Sequence, residues 1–357
     1  MRRSLSTLLL AAASGAAMAA PASDEGPSYI VNGDVENGYP STMAIGFDAG
    51  GFRASTCTAS LITPRILLTA AHCSEEYAKQ GISIDLIVQF GAAFPGKNVD
   101  NADAIKFDDL INHPGYQGIT GFGTPENDVS VVILAEEVSD VEPVWFNTRP
   151  LRDRDLGTKI TSVGYGITSA ATQSGSGTKR SVKLKISSLD DQFIVANTAD
   201  SPMDGNVCSG DSGGPQYHVE EDGRLLQWSV HSWADQNCTF TSGSTRTDLF
   251  AEWILDRVEE VHGTRDFCEI TAKYGNGVCD AYCDAPDIDC EIGGGGGAAD
   301  TGGAGGSSGG GAGGGAGGGA GGGLDASGEG CGCDHPTRSG SGLGVLLAAG
   351  LLARRRR

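Results

Sequence analysis

Cys208-Ser209-Gly210-Asp211-Ser212-Gly213-Gly214-Pro215 is the stretch on which the reading of this chain turns. A serine follows an aspartate and precedes two glycines, with a cysteine four positions upstream. A serine hydroxyl is a weak nucleophile until a base lies within reach and N–H donors await the charge that forms on the attacked carbonyl oxygen. Flanking glycines let the backbone turn tightly, expose the hydroxyl and aim amide N–H groups into a cleft. Gly-x-Ser-x-Gly alone also fits a plain turn of a β-rich domain. The longer string is more specific, and it asks for partners elsewhere in the chain.

The bounds are compatible with an exported protein. A chain of 357 residues has room for one large or two medium domains with appendages. A formal charge of −20 argues against a nucleic-acid partner and for a soluble, self-repelling surface. Residues 1–19 read as a signal peptide: Arg2 and Arg3 lead, an apolar stretch runs from Leu8 to Ala17, and Ala17-Met18-Ala19 is a small-residue cleavage site. Ten cysteines behind such a signal read as a disulfide set.

Two further stretches supply the partners. Leu67-Leu68-Thr69-Ala70-Ala71-His72-Cys73 sets a histidine at the end of an apolar strand, and an imidazole of unperturbed pKa about 6.5 can take and return a proton near neutrality. Asn127-Asp128-Val129-Ser130-Val131-Val132-Ile133-Leu134 sets a carboxylate at the mouth of an apolar strand, whereas Asp103, Asp108 and Asp109 lack such a run behind them. Together with Gly-Asp-Ser-Gly-Gly-Pro, these motifs resemble the trypsin/chymotrypsin-type (S1 family) serine proteases over residues 30–262. The chain order His72, Asp128, Ser212 is that of chymotrypsin, unlike subtilisin or the α/β-hydrolases.

The resemblance implies an all-β fold of two antiparallel six-stranded β-barrels with a C-terminal α-helix and the active site at the barrel junction, spanning residues 30–263. It implies Ser212 as nucleophile, His72 as general base, Asp128 as the orienting acid, and the N–H groups of Gly210 and Ser212 as the oxyanion hole. It pairs Cys57 with Cys73 and Cys208 with Cys238. Residues 20–29 become a propeptide, because Ile30-Val31-Asn32-Gly33 matches the N-terminus the family frees on activation. The α-amino group of Ile30 would then pair with Asp211, a carboxylate too costly to bury alone. Tyr29, not Arg or Lys, precedes the cut, which implies an activating protease of other specificity or self-cleavage after an aromatic. Val163-Gly164-Tyr165-Gly166 matches the start of the second barrel, with Tyr165 in place of tryptophan. Asn206, Val207, Ser232, Trp233 and Ala234 map to the substrate-binding walls. Asn206 stands where trypsin-like enzymes carry an aspartate, so a basic P1 residue is disfavoured and uncharged P1 residues are expected. The substrates are proteins or peptides, with protease inhibitors as further partners; the chemistry requires no metal or organic cofactor.

Pattern places strands over Met43 to Leu68, Ile84 to Phe90, Ala104 to Ile111 and Val182 to Ile186, and Ser229 to Ala234 resembles the family strand that pairs with substrate backbone. Pattern also places a closing helix capped by Thr247 or Asp248, with Leu249, Phe250, Trp253, Ile254, Val258 and Val261 on one face and Gly263 at its end. Residues 266–291 form a small module around Cys268, Cys279, Cys283 and Cys290, whose four cysteines allow three pairings and whose acids leave a calcium site conceivable. Residues 292–330 are a flexible Gly-rich linker. Residues 331–357, with Cys331-Gly332-Cys333, the apolar Leu343 to Ala353 and Arg354 to Arg357, resemble a myxobacterial C-terminal (MYXO-CTERM-like) sorting tail. A sorting protease would act there, and membrane contact would be confined to this tail. The rival to an enzyme is a non-catalytic surface recognition protein on a protease scaffold, against which the intact set of three catalytic residues argues.

Overall fold

The computed structural model describes residues 30–292 apart from 31–32, 51, 80, 119–123 and 199–204. The expected signal peptide, propeptide and sorting tail, and the linker beyond residue 292, lie outside the described residues. After a short β1 (Asp34–Val35), six strands close a first barrel in the order β2-β3-β4-β7-β6-β5. These are β2 (Thr42–Asp48), β3 (Arg53–Thr63), β4 (Ile66–Thr69), β5 (Gly91–Phe94), β6 (Ile105–Asn112) and β7 (Ser130–Leu134), with helices α1 (His72–Lys79) and α2 (Ile84–Phe90) between β4 and β5. A second barrel is built from β8 (Lys159–Gly164), β9 (Arg180–Leu189), β10 (Phe193–Thr198), β11 (Pro215–Val219), β12 (Leu225–Ala234) and β13 (Thr241–Arg246). Its order is β9-β10-β13-β12-β11-β8, and the β8–β9 pairing closes it. Closure removes the free edges that an open sheet would expose.

Each barrel follows from its alternation. In β9, Val182, Leu184 and Ile186 point inward while Lys183 and Lys185 face water. They pack with Ile30, Ile160, Ile194 and Trp228. The first barrel is filled by Met43, Ile45, Leu61, Leu67, Phe107 and Val131. Ile254 and Val258 of α3 (Ala251–His262) belong to the same cluster, so the closing helix serves the first barrel from the far end of the sequence.

Two local expectations are corrected. Ile84–Phe90 is a helix, not a strand: the Ser83 side chain accepts the Leu86 N–H at 3.4 Å, and Asp85 sits in the positive first turn. Only Ile87 is buried there, a pattern that so short an apolar run does not reveal in advance. Neither Thr247 nor Asp248 caps α3. The Thr247 hydroxyl is spent on the carbonyls of Asn147, Gln227 and Trp228, and Asp248 is paired with Arg246 at 2.6 Å and accepts the Leu151 N–H. Leu249 is exposed and leaves the packed face, while Gly263 ends the helix in the left-handed conformation at φ 76°.

A buried polar seam reaches from the first barrel into the second. The Ser60 hydroxyl of β3 donates to Gln227 of β12, Gln227 Nε2 donates to the Ser229 carbonyl at 3.1 Å, and the Ser229 hydroxyl donates to Gln216 at 2.6 Å. All four side chains are fully buried. On the same divide the Tyr217 hydroxyl shares hydrogen bonds with Ser41 (3.1 Å) and Thr42 (2.9 Å), and its ring stacks on Tyr39. The Tyr165 hydroxyl donates to the carbonyls of Thr42 (3.1 Å) and Gly96.

Residues 272–292 form a separate unit. Cys279 and Cys290 are bridged, and Asp287 accepts the N–H groups of Asp280 (2.8 Å) and Asp289 (3.2 Å). Short helices α4 (Phe267–Ile270) and α5 (Ile288–Ile292) end the two units in turn.

Candidate active site

His72 opens α1 directly after β4, and Asp128 precedes β7, the neighbour of β4 in the barrel. Adjacent strands therefore deliver the two side chains to one end of the first barrel. The imidazole Nδ1 and Asp128 Oδ2 are 2.7 Å apart, and the His72 backbone N–H donates to Asp128 Oδ1 at 2.9 Å. Asp128 is wholly buried, and a third donor completes its shell: the Ser232 hydroxyl at 2.6 Å. The Thr245 hydroxyl donates to the Asp128 carbonyl at 3.0 Å. Nδ1 faces the acid, so Nε2 is the ring nitrogen turned away from it.

The residue before the acid is bent on purpose. Asn127 has φ 54°, a left-handed conformation that asparagine tolerates better than most residues. It is held by its N–H on Gln192 (3.0 Å) and its side-chain amide on the Gly115 carbonyl (3.0 Å).

Ser212 approaches from the second barrel. Its carbonyl accepts the Thr58 N–H at 2.8 Å, beside Cys57, and lies 3.7 Å from the Cys73 sulfur. The Cys57–Cys73 disulfide thus ties the histidine's helix to the strand that anchors the serine turn. Among the described residues the Ser212 hydroxyl has no hydrogen-bond partner, and it is not bonded to His72. The N–H groups of Gly210 and Ser212 are likewise uncommitted among the described residues, whereas Gly213 and Gly214 donate to the His231 and Asp211 carbonyls. Gly213 has φ +81°, and a Cβ there would lie 2.0 Å from Thr69 Oγ1, so no other residue fits the turn. Cys57, His72 and Cys73 sit close enough to suggest a metal cluster, but both sulfurs are spent in the disulfide.

Asp211 points away from the cleft into full burial. Its carboxylate accepts the N–H groups of Gly166 and Cys208, each at 2.8 Å. Burial pushes its pKa up to about 7, a rise that these two donors only partly offset. Ile30 is buried among Leu151, Ile160 and Val182, and its carbonyl accepts the Gly33 N–H. Among the described residues Ile30 and Asp211 share no hydrogen bond or ion pair.

Of the expected substrate walls, Ser232 turns its hydroxyl to Asp128, a role that no local motif announces. Asn206 is fully buried, with Oδ1 accepting the N–H of buried Val207 at 2.8 Å. Cys208–Cys238 joins this segment to the loop after Ala234. Trp233 lies across Gly243, where an added Cβ would come within 2.1 Å of the indole. Thr58, Asn127, Gln192 and Thr245 were not legible as site residues, since each acts through a partner more than fifty positions away or through backbone shape.

Fold and site together define a serine endopeptidase. The family model described as Trypsin matches residues 30–254, and the chain belongs to that family. Brachyurin of Leptuca pugilator is 28% identical over 233 residues, covering 62% of this chain and 93% of the relative. Kallikrein-1E2 of Equus caballus is 24% identical over 221 residues, covering 57% and 80%. Urokinase-type plasminogen activator of Gallus gallus is 26% identical over 226 residues, covering 57% of this chain and 51% of its own length. The substrates are accordingly peptides or proteins. Among the described residues no helix is long and apolar enough to cross a membrane.

Proposed function

We propose that this endopeptidase works through Ser212, His72 and Asp128. The serine hydroxyl attacks the scissile carbonyl carbon while His72 Nε2 takes its proton. The imidazolium then gives that proton to the leaving amine, and a water repeats the sequence on the acyl-enzyme. Asp128 fixes the ring so that Nε2 faces the reaction and stabilises the imidazolium. The N–H groups of Gly210 and Ser212 receive the oxyanion. The observation that carries this reading is the buried Asp128, which accepts from His72 twice and from Ser232.

The protein is made as a zymogen in this reading. Cleavage before Ile30 frees an ammonium that pairs with Asp211, and support comes from the full burial of that carboxylate, which raises its pKa to about 7. P1 residues are uncharged, because Asn206 offers no full negative charge. Residues 1–19 export the chain, 30–263 form the protease, 266–291 the cysteine module and 292–330 a spacer. Residues 331–357 are read by a sorting protease at the cell surface, and protein inhibitors can occupy the same cleft as substrates.

Labelling with a fluorophosphonate probe tests the nucleophile. Protein cut before Ile30 is expected to take one equivalent at Ser212, and Ser212→Ala none; equal peptide hydrolysis by the two would refute the assignment.

A further inference from the structure

The backbone bends sharply one residue before the buried acid. Asn127 has φ 54°, and a residue with a side chain stays in that left-handed region only where its surroundings hold it there. Three hydrogen bonds do so. The Val129 N–H donates to the Asn127 carbonyl at 2.9 Å, closing a turn around Asp128 itself. The Asn127 side-chain amide donates to the Gly115 carbonyl at 3.0 Å, in the loop between β6 and β7. The third bond comes from outside the first barrel: the Asn127 N–H donates to Gln192 Oε1 at 3.0 Å, 65 positions along the chain. Only the oxygen of a carboxamide can accept, so this bond fixes the orientation of the Gln192 side chain.

Gln192 lies in the turn between β9 and β10 of the second barrel, and that turn is firmly tied. Asp190 Oδ1 accepts the N–H groups of Gln192 (2.8 Å) and Phe193 (2.5 Å), and the Asp190 N–H donates to the Phe193 carbonyl at 3.0 Å. Arg246 of β13 braces the turn from the side. Its N–H donates to the Gln192 carbonyl at 2.9 Å and its Nη1 to the Asp190 carbonyl at 2.8 Å, while buried Asp248 holds the guanidinium. Thr245, next to Arg246, donates to the Asp128 carbonyl at 3.0 Å. The second barrel thus holds the peptide before the acid through Gln192 and the peptide after it through Thr245. A relaxation of Asn127 towards negative φ would turn the Asn127–Asp128 peptide and carry the carboxylate away from His72 Nδ1, which it meets at 2.7 Å.

We propose that Gln192 is a positioning residue for the catalytic acid: its side-chain oxygen holds the Asn127 N–H and so keeps Asp128 aimed at His72. The barrel that carries the nucleophile thereby also aims the acid carried by the other. This rests on the roles assigned above to Ser212, His72 and Asp128 and deepens them, since Gln192 acts only through Asp128.

The experiment uses full-length protein cut before Ile30, with steady-state kinetics on one peptide substrate and thermal melts alongside. Gln192→Ala is expected to lower kcat about tenfold with KM changed less than about twofold, because the lost contact serves the transition state through the acid and not substrate binding. Gln192→Glu keeps an acceptor oxygen at the same reach and is expected to retain kcat within about threefold of wild type. Gln192→Met, of similar length without an acceptor, is expected to match Gln192→Ala and carries the comparison if the alanine variant does not fold. In an Asp128→Asn background, adding Gln192→Ala is expected to change kcat less than about twofold, since a residue that acts through the acid has nothing left to position. Wild-type kcat in Gln192→Ala and Gln192→Met, no recovery in Gln192→Glu, or an equal loss with and without Asp128 would overturn the proposal. Loss of folding in both acceptor-free variants would overturn it too, by marking a purely structural role. Should Asp128→Asn alone leave kcat unchanged, or the wild type take no fluorophosphonate label, the assignment of the three catalytic residues falls instead.

Discussion

At the scale of single residues, two aspartates near Ser212 are buried alike and serve opposite ends. Asp128 is saturated with donors, one of them the Ser232 hydroxyl. Ser232→Ala removes a hydrogen bond to a buried charge, worth about 1–3 kcal/mol. The expected result is a fall in kcat of roughly tenfold with a smaller change in KM, read from steady-state kinetics on the cut protein. Asp211 has only two backbone donors, and its pKa stands at about 7 against an ordinary 3.8. Between those values the native uncut chain holds a proton that the unfolded chain has lost, so its stability declines as pH rises through that window and levels off above it. Urea denaturation across pH 4–8 is expected to show this decline in the uncut chain and not in Asp211→Asn. Pairing with a freed Ile30 ammonium is expected to abolish the decline after cleavage. Cut Asp211→Asn should also lose activity; full activity in that variant would sink the proposed activation.

At the scale of elements, local devices decide where the chemistry points. The Cys57–Cys73 bridge joins β3 to α1 and so holds His72 and the Thr58 anchor of Ser212 in one frame. Replacing both cysteines by serine is expected to lower stability by about 2–4 kcal/mol in urea titrations, with a loss of kcat beyond what stability explains. Gly263→Ala forces a Cβ into a left-handed helix end and is expected to cost about 1 kcal/mol, seen as a lowered Tm with unchanged kcat/KM. What the sequence made legible follows the same division. Nucleophile turn, histidine strand and acid strand are each written in contiguous residues, because each needs its own local backbone. Ile84–Phe90 misled because seven apolar-rich residues suit strand and helix alike until Ser83 and Asp85 are weighed as helix starters. Ser232 on Asp128 and Asn127 on Gln192 stayed hidden because nothing nearby in the chain marks a hydrogen bond across 104 or 65 positions.

At the scale of the whole molecule, the two barrels meet through apolar side chains such as Val230 and Tyr165 and also through the buried Ser60–Gln227 hydrogen bond, which Ser229 and Gln216 continue inside the second barrel. Apolar contacts tolerate sliding, since one methyl serves nearly as well as its neighbour. Buried hydrogen bonds do not, because a displaced donor is left bare in a dry interior. The barrels therefore have one mutual orientation, and neither can open without stranding polar groups of the other. Although His72 and Ser212 come from different halves, unfolding should be a single event. Tryptophan fluorescence and far-ultraviolet circular dichroism are expected to trace coincident transitions, and separated midpoints would show the halves melting independently. The seam thus acts as a lock of alignment: a protease that carries His72 on one barrel and Ser212 on the other keeps the two in step.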